Sequence, residues 1–576
     1  MGGSMSIKSQ YAVPRAEQGA RVRTAGVGLA AGARLDWALA LVVGAAAFAL
    51  QAIELRGVGL WEDEAFSVGI ARQPLATQLH YIWSKEVNMT LYYLILRAWL
   101  GLTGLLGIPA SEFVVRLPST LFAALAAVAV FALGRRFWGR TAGLVAAALY
   151  LLNYLQLMMA GQARGYGLQL LLLTLSWYAL LAGLTAGARA GRAGRWYALY
   201  VGTMVLALGA HLESVLVLLA QAMTLAVLLV APGPWREAVR RSSRALSVNL
   251  GLVLLFIVFI ALDVKVHGSS NNQLGPASLA GLLRLGWHIG GQNPVYALLL
   301  AAACAVGVAA TLRLPLGAPP GAPDRAADGA GARGVTALGW KTGTLRPAWY
   351  PGLTLALLSW LLAPIVLAYV LSQRRFNVHL FADYLVIVVP ALCLLGGVGV
   401  AALPGLLRGR LSGNMGGARA SWAAGLVLVI VALPVIRLYH TDARRQDFSG
   451  AARWMQGQYR PGDGVVFLST SSALVMSYYL DSYLGQGRLA AESPGAWSWT
   501  QDDPTPFDSA ALDAYSRRHG RLFLVDASQD GQAPLAQSEN TLTRGWLAAN
   551  RYRYLSSVET SAYYGSVTVQ LYAPPR

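Results

Sequence analysis

Residues 36–64 read DWALALVVGAAAFALQAIELRGVGLWEDE. From Asp36 to Leu55 the run is apolar for about 20 residues, the length an α-helix needs to cross the hydrocarbon core of a bilayer once. It begins too late and runs too long for a cleaved signal peptide, so the N-terminus is expected to stay attached. Just beyond it stand two adjacent carboxylates, Asp63-Glu64, and Arg116 returns at the head of a later apolar run. Ionisable groups at a membrane boundary are costly to keep there, so a paired acid with a cation beside it points to function more than to a simple salt bridge tying loop to helix.

Composition extends this reading to the whole chain. Of 576 residues, 56% are hydrophobic and only 13% charged, with a mean hydropathy of +0.48. Those values lie outside the range of soluble domains and describe a mainly α, polytopic membrane protein. The formal charge of +19 does not mark a nucleic-acid binder, because the Lys and Arg residues fall in short runs between apolar segments, where they set orientation. Cys304 and Cys393 both sit inside apolar stretches, which leaves neither a disulfide framework nor a thiolate metal site.

Spans are predicted near 36–55, 114–134, 141–161, 166–185, 196–212, 214–231, 245–263, 294–313, 350–371, 380–403 and 421–438. The stretch from Leu91 to Ile108 is long enough to cross but carries Arg97 and several glycines. Loop charge decides its status. If it does not cross, the Arg-rich segments around Arg135, Arg192, Arg240, Arg333 and Arg408 all share one side with the N-terminus; if it does, each later cluster changes side. It is therefore read as a helix in the outer interface. Eleven crossings result, with the N-terminus inside and the C-terminus outside. The implied domains are a cytoplasmic tail 1–35, a membrane domain 36–438 with its first outer loop at 56–113, and a soluble extracytoplasmic domain 439–576.

On that topology the unusual residues collect outside: segment 56–113, the turn 162–165, His211 with Glu213, loop 264–293, the turn 372–379 and everything after Arg437. The inner segment 315–349 has the Gly, Ala, Pro and Arg content of a linker. From Tyr439 the composition turns polar, with a helix-like stretch Phe448 to Gln458, Pro461-Gly462-Asp463 as a turn, and β-type runs at Gly464–Leu468, Arg521–Val525 and Val567–Tyr572. That pattern predicts a small α/β domain. Its aromatic clusters, Tyr478-Tyr479, Trp497 with Trp499, and Tyr563-Tyr564, suit core packing better than stacking on sugars.

Trp61-Glu62-Asp63-Glu64-Ala65, Leu91-Tyr92-Tyr93 and Glu112-Phe113-Val114-Val115-Arg116-Leu117-Pro118-Ser119 together resemble the opening of GT-C-type membrane glycosyltransferases, in the protein O-mannosyltransferase and aminoarabinose (lipid A) transferase group. Ala163-Arg164-Gly165-Tyr166 resembles the Arg-containing turn of the bacterial members. Asp447-Phe448-Ser449-Gly450 with Pro461-Gly462-Asp463 resembles the start of their extracytoplasmic domain. The chain departs from them at Asn88-Met89-Thr90, where a Pro-rich run is common, and at Asp383-Tyr384, where Arg-Tyr is common.

The resemblance implies a GT-C-type bundle of about 11 helices with outer interfacial helices and a bacterial inner or plasma membrane location. It implies transfer of a sugar from a polyprenyl-phosphate donor to an acceptor hydroxyl on a lipid, glycan or protein, by inverting displacement. Such a step needs a base at the acceptor and positive charge at the departing phosphate. By motif, Asp63 is the candidate base and Glu64 its companion, orienting the site or binding Arg116. Arg374 and Arg375, then Arg164 and Lys85, are candidates for the phosphate, where arginine offers paired donors. Arg116, His211, Glu213, Tyr92 and Tyr166 are expected to support the site.

The motifs fix no cofactor. The alternative is a divalent metal held by Asp63, His211 and Glu213, against which residues two apart on a helix point different ways. His80, His288 and His379 also lie outside, and 265–293 has the makings of a lid or a plain connector. A transporter or flippase for a lipid-linked saccharide is the rival class, but no internal repeat and no charged broken helices at midplane are seen. A non-enzymatic module presenting the C-terminal domain is a further rival, for which eleven spans are excessive.

Overall fold

The structure, a computed structural model, describes residues 15–55, 59–186, 190–267, 278–313, 349–373, 383–406, 414–442, 447–485, 489, 492–494, 496, 499, 507–528, 534–562 and 565–575. Its membrane part is built of helices α1 (Arg15–Glu54), α2 (Glu62–Arg72), α3 (Leu75–Ser84), α4 (Thr90–Leu105), α5 (Glu112–Trp138), α6 (Arg140–Leu151), α7 (Tyr154–Ala160), α8 (Tyr166–Thr185), α9 (Ala190–Ala210), α10 (Ser214–Val230), α11 (Pro234–Arg241), α12 (Ser243–His267), α13 (Leu279–Ile289), α14 (Pro294–Arg313), α15 (Tyr350–Gln373), α16 (Val389–Leu406), α17 (Asn414–Ala432) and α18 (Pro434–Asp442).

Among the described residues, eight helices are long and apolar enough to cross a membrane, or ten if each of two bent pairs counts as one span. The chain is a multi-pass membrane protein. The run expected as one span at 141–161 is broken into α6 and α7, bent by 66°. Asn153 makes the break: its side chain accepts from the Gln156 amide and caps α7, the local bond that competes with an unbroken helix. A second bend of 114° separates α10 from α11. Helix α9, expected as a span at 196–212, is not among the eight, because Arg195, Trp196, Tyr197 and Tyr200 dilute its apolar character.

Helix α5 is the axis of the site. Ser111 caps its start by accepting from the Val114 amide. Pro118 lies inside it and has no N–H to give the Val114 carbonyl one turn back; that carbonyl accepts from Trp99 Nε1 at 2.8 Å instead, which ties α4 to α5. At the far end Asp36 of α1 accepts from both Arg135 and Arg140. A Cβ on Gly134 would lie 2.8 Å from the Gly143 Cα, so α5 and α6 meet through paired glycines, as small residues allow between membrane helices.

Helix α4, the ambiguous stretch of the sequence, has 16 residues, about 24 Å, which falls short of a ~30 Å hydrocarbon core. Helices α3 and α13 each carry an exposed stripe at four-residue spacing, Leu75, Leu79 and Trp83 on one and Leu279, Leu283 and Trp287 on the other. That is the spacing of a helix lying along a lipid interface.

The C-terminal part continues with α19 (Phe448–Gln458), β1 (Gly464–Phe467), α20 (Thr470–Leu484), α21 (Ser509–Ser516), β2 (Leu522–Ser528), α22 (Pro534–Ala549), β3 (Arg553–Ala562) and β4 (Gly565–Ala573). Its sheet runs β1-β2-β4-β3, with β1 and β2 parallel and the remaining pairs antiparallel. Helix α19 and strands β1, β2 and β4 match the sequence reading. Strand β3 was not expected: RYLSSVETSA lacks an apolar alternation, because it is an edge strand with much of its length in solvent.

Candidate active site

Glu62, Asp63 and Glu64 occupy the first turn of α2, where the helix dipole favours negative charge. Successive helical residues point about 100° apart, so neighbours in sequence enter different surroundings. Glu64 points inward and is buried. Its Oε1 accepts from Arg116 Nε at 2.7 Å and its Oε2 from Arg116 Nη2 at 2.6 Å, a bidentate fork, and Oε1 also accepts from the Ala163 amide at 2.8 Å. Arg116 Nη2 donates in addition to the Gly59 carbonyl at 2.9 Å. Glu64 thus joins α2, α5 and the turn before α8. Asp63 faces the other way, with 38% of its side chain exposed, and pairs with Arg164 Nη2 at 3.3 Å.

Arg164 is held from beneath. Its carbonyl accepts from Ser119 Oγ at 3.1 Å, and Ser119 shares a 2.7 Å hydrogen bond with the Tyr92 hydroxyl. A Cβ on Gly165 would sit 2.4 Å from the Ala210 carbonyl oxygen, so only glycine lets the turn lie this close to the end of α9. The guanidinium itself is buried. Tyr92 thus reaches the Arg164 turn through Ser119, and Tyr166 opens α8 just after that turn.

Glu86, between α3 and α4, was not singled out from sequence. It is partly buried, and loss of solvent pushes its carboxyl up to about 7; the Arg164 guanidinium pulls it down and the Asp63 carboxylate pushes it up. A carboxyl raised in the folded state holds a proton that the unfolded chain gives up. Its stabilising share is complete below the ordinary glutamate range and is lost as pH rises through about 7, at most about 3 kcal/mol and less for a side chain that still touches water. The thermal midpoint in lipid is expected to fall between pH 5 and 8, and Glu86→Gln to flatten that dependence; an unchanged slope in the variant would place the titration elsewhere.

His211 and Glu213 form the turn between α9 and α10. His211 Nδ1 accepts from the Glu213 amide at 3.3 Å, and the Leu212 amide donates to Asn88 Oδ1 at 3.0 Å. The imidazole lies between Tyr166 and Tyr384, with centroids 5.5 and 5.3 Å away. His211 Nε2, Glu213 Oε2, Arg164 Nε and the Tyr93 hydroxyl are buried with no hydrogen-bond partner among the described residues. Each orphaned polar group costs about 1–3 kcal/mol, so several in one neighbourhood mark a place made for a polar ligand.

Asp63, His211 and Glu213 do not assemble a metal site: among the described residues no three His, Cys, Asp or Glu side chains are grouped to hold an ion. Arg374, Arg375 and His379 lie outside the described residues. Lys85 ends α3 with an exposed side chain. His288 belongs to α13 and packs against Tyr154, 6.2 Å between centroids, and His80 lies on α3. Of the suspected lid, 268–277 lie outside the described residues, and the part that follows contains α13.

No protein-family model matches the chain, and no curated protein matches it in sequence. Among solved structures it is similar to ArnT from Cupriavidus metallidurans bound to undecaprenyl phosphate, at 14% identity and a TM-score of 0.52, over 94% of this chain and 98% of that one. The apo form of ArnT gives the same values. An archaeal oligosaccharyltransferase, AglB from Archaeoglobus fulgidus in complex with an inhibitory peptide and a dolichol-phosphate, aligns at 10% identity and a TM-score of 0.46, over 94% of this chain and 74% of that one. The likeness to ArnT, spanning nearly all of both chains, is one of fold: the chain has the polytopic GT-C architecture.

Proposed function

We propose that this protein is a membrane glycosyltransferase that moves a sugar from a polyprenyl-phosphate carrier to an acceptor hydroxyl at the extracytoplasmic face. The observation that carries this reading is the convergence on Arg164. A half-open carboxylate lies 3.3 Å from its guanidinium, a second carboxyl is pushed up to about 7 by loss of solvent within its field, and its own buried Nε has no hydrogen-bond partner among the described residues. The solved protein that shares the fold over nearly its whole length holds undecaprenyl phosphate.

In the proposed step the acceptor oxygen bonds to the anomeric carbon as the bond from that carbon to the phosphate oxygen breaks. Asp63 takes the acceptor proton, and the electron pair leaves with the phosphate. Arg164 faces the charge that develops there, with Arg374, Arg375 and Lys85 as further proposed contacts. Glu64 and Arg116 orient the turn, and Glu86, protonated below neutrality, donates a hydrogen bond at the pocket wall. His211 and Glu213 receive sugar hydroxyls.

The reading is tested with purified protein in lipid and synthetic polyprenyl-phosphate donors carrying one hexose or pentose each. Release of polyprenyl phosphate from one donor, by transfer or slow hydrolysis, supports it. A well-folded sample that consumes none of them removes it.

A further inference from the structure

We infer that Tyr479 of the C-terminal part is a positioning residue for Asp63 and Glu64, which makes that part a member of the active site; the inference rests on the function proposed above. The Leu60 amide, buried, donates to the Tyr479 hydroxyl at 2.6 Å across 419 residues of sequence. The neighbouring Gly59 carbonyl receives Arg116 Nη2, from the same guanidinium that forks onto Glu64. A Cβ on Gly59 would lie 3.1 Å from both the Tyr479 hydroxyl and the Ser449 Cβ, so the loop is pinched between α5 and the C-terminal part just before the acids.

Tyr479 is itself fixed. Its ring stands edge-on to Tyr478, 5.0 Å between centroids and 85° between planes. The Tyr478 hydroxyl donates to the Ala110 carbonyl at 2.6 Å, and Arg72, at the end of α2, lies 5.3 Å over the Tyr478 ring. The other side of α2 is held by Trp499, 5.4 Å from Phe66 and 5.2 Å from Tyr81. Tyr478 and Tyr479 are buried in a core shared with the membrane part, Trp499 packs against it, and the three grip the helix that carries the acids. A hydrogen bond to a backbone amide three residues before Asp63 controls where that carboxylate sits, and a misplacement of about 1 Å at a reacting group costs on the order of 10²-fold in rate.

Tyr479→Phe removes one oxygen and keeps the ring. In the full chain in lipid nanodiscs, the donor consumed by the wild type is expected to turn over about 10–100-fold more slowly, with its KM within about twofold of wild type, and amide exchange across 59–67 is expected to accelerate. Tyr483→Phe, which alters a hydroxyl bonded to Ser449 Oγ in the same cluster, serves as the control and keeps wild-type kcat. Wild-type kcat in Tyr479→Phe, or a change confined to KM, overturns the inference. If the wild type consumes no donor, the proposed function fails by itself; the exchange measurement still decides, since lost protection over 59–67 supports the clamp and unchanged protection overturns it.

Discussion

Asp63→Asn is expected to slow sugar transfer by about 10²–10⁴-fold, the range that a positioned general base contributes. Asparagine keeps the shape and the hydrogen-bonding oxygen but does not accept the acceptor's proton. The folded state is expected to survive, because the side chain is 38% exposed and its ion pair among the described residues is the 3.3 Å contact to Arg164. That contact also fixes the direction of a second readout. With the carboxylate gone, Arg164 loses a competitor for the donor phosphate, so KM for the donor should hold or fall while kcat collapses, the pattern of an interaction made only in the transition state. Initial rates of polyprenyl phosphate release over a donor series measure both. Wild-type kcat in the variant would remove Asp63 as the base.

Glu64→Ala is expected to do its damage to the fold. It removes the carboxylate onto which Arg116 forks, and breaking one side of a buried pair costs about 3–5 kcal/mol; the Ala163 amide loses its acceptor as well. Thermal unfolding in lipid nanodiscs measures this. The double variant Glu64→Leu with Arg116→Met should recover most of the lost stability, since an apolar pair of similar volume is often as stable as the ion pair it replaces. It should not recover transfer, because the turn carrying Arg164 loses the Ala163 bond to Glu64 that sets its position against α2. A stable but inactive double variant separates the structural work of Glu64 from the chemistry assigned to Asp63.

The acid pair was legible in the sequence as a pair, but the division of labour within it was not. Which carboxylate turns inward depends on Arg116, 52 residues from Glu64, and on the Ala163 amide, 99 residues away. Helix periodicity says that the two point apart, not which meets what. Tyr92 and Arg164 were both candidates from the sequence, but the serine that links them, Ser119, is an unremarkable letter inside an apolar helix. Glu86 was passed over because it follows Lys85, and an adjacent opposite charge normally reads as a solvated surface pair; loss of solvent, with Arg164 and Asp63 as charged neighbours, sets its environment instead. Most of the spans were legible from length and hydropathy. The break at Asn153 was not, although an asparagine in an apolar run is a cap signal.

The 2.6 Å bond between the Leu60 amide and Tyr479 has a consequence for biosynthesis. The amide leaves the ribosome 419 residues ahead of its acceptor, a lag of roughly 20–80 s at ordinary elongation rates. Through that interval the helix bearing the acids lacks the Tyr479 restraint. A nascent or truncated chain that ends before α20 therefore carries the acid motif without the Tyr479 bond that holds the residue ahead of it.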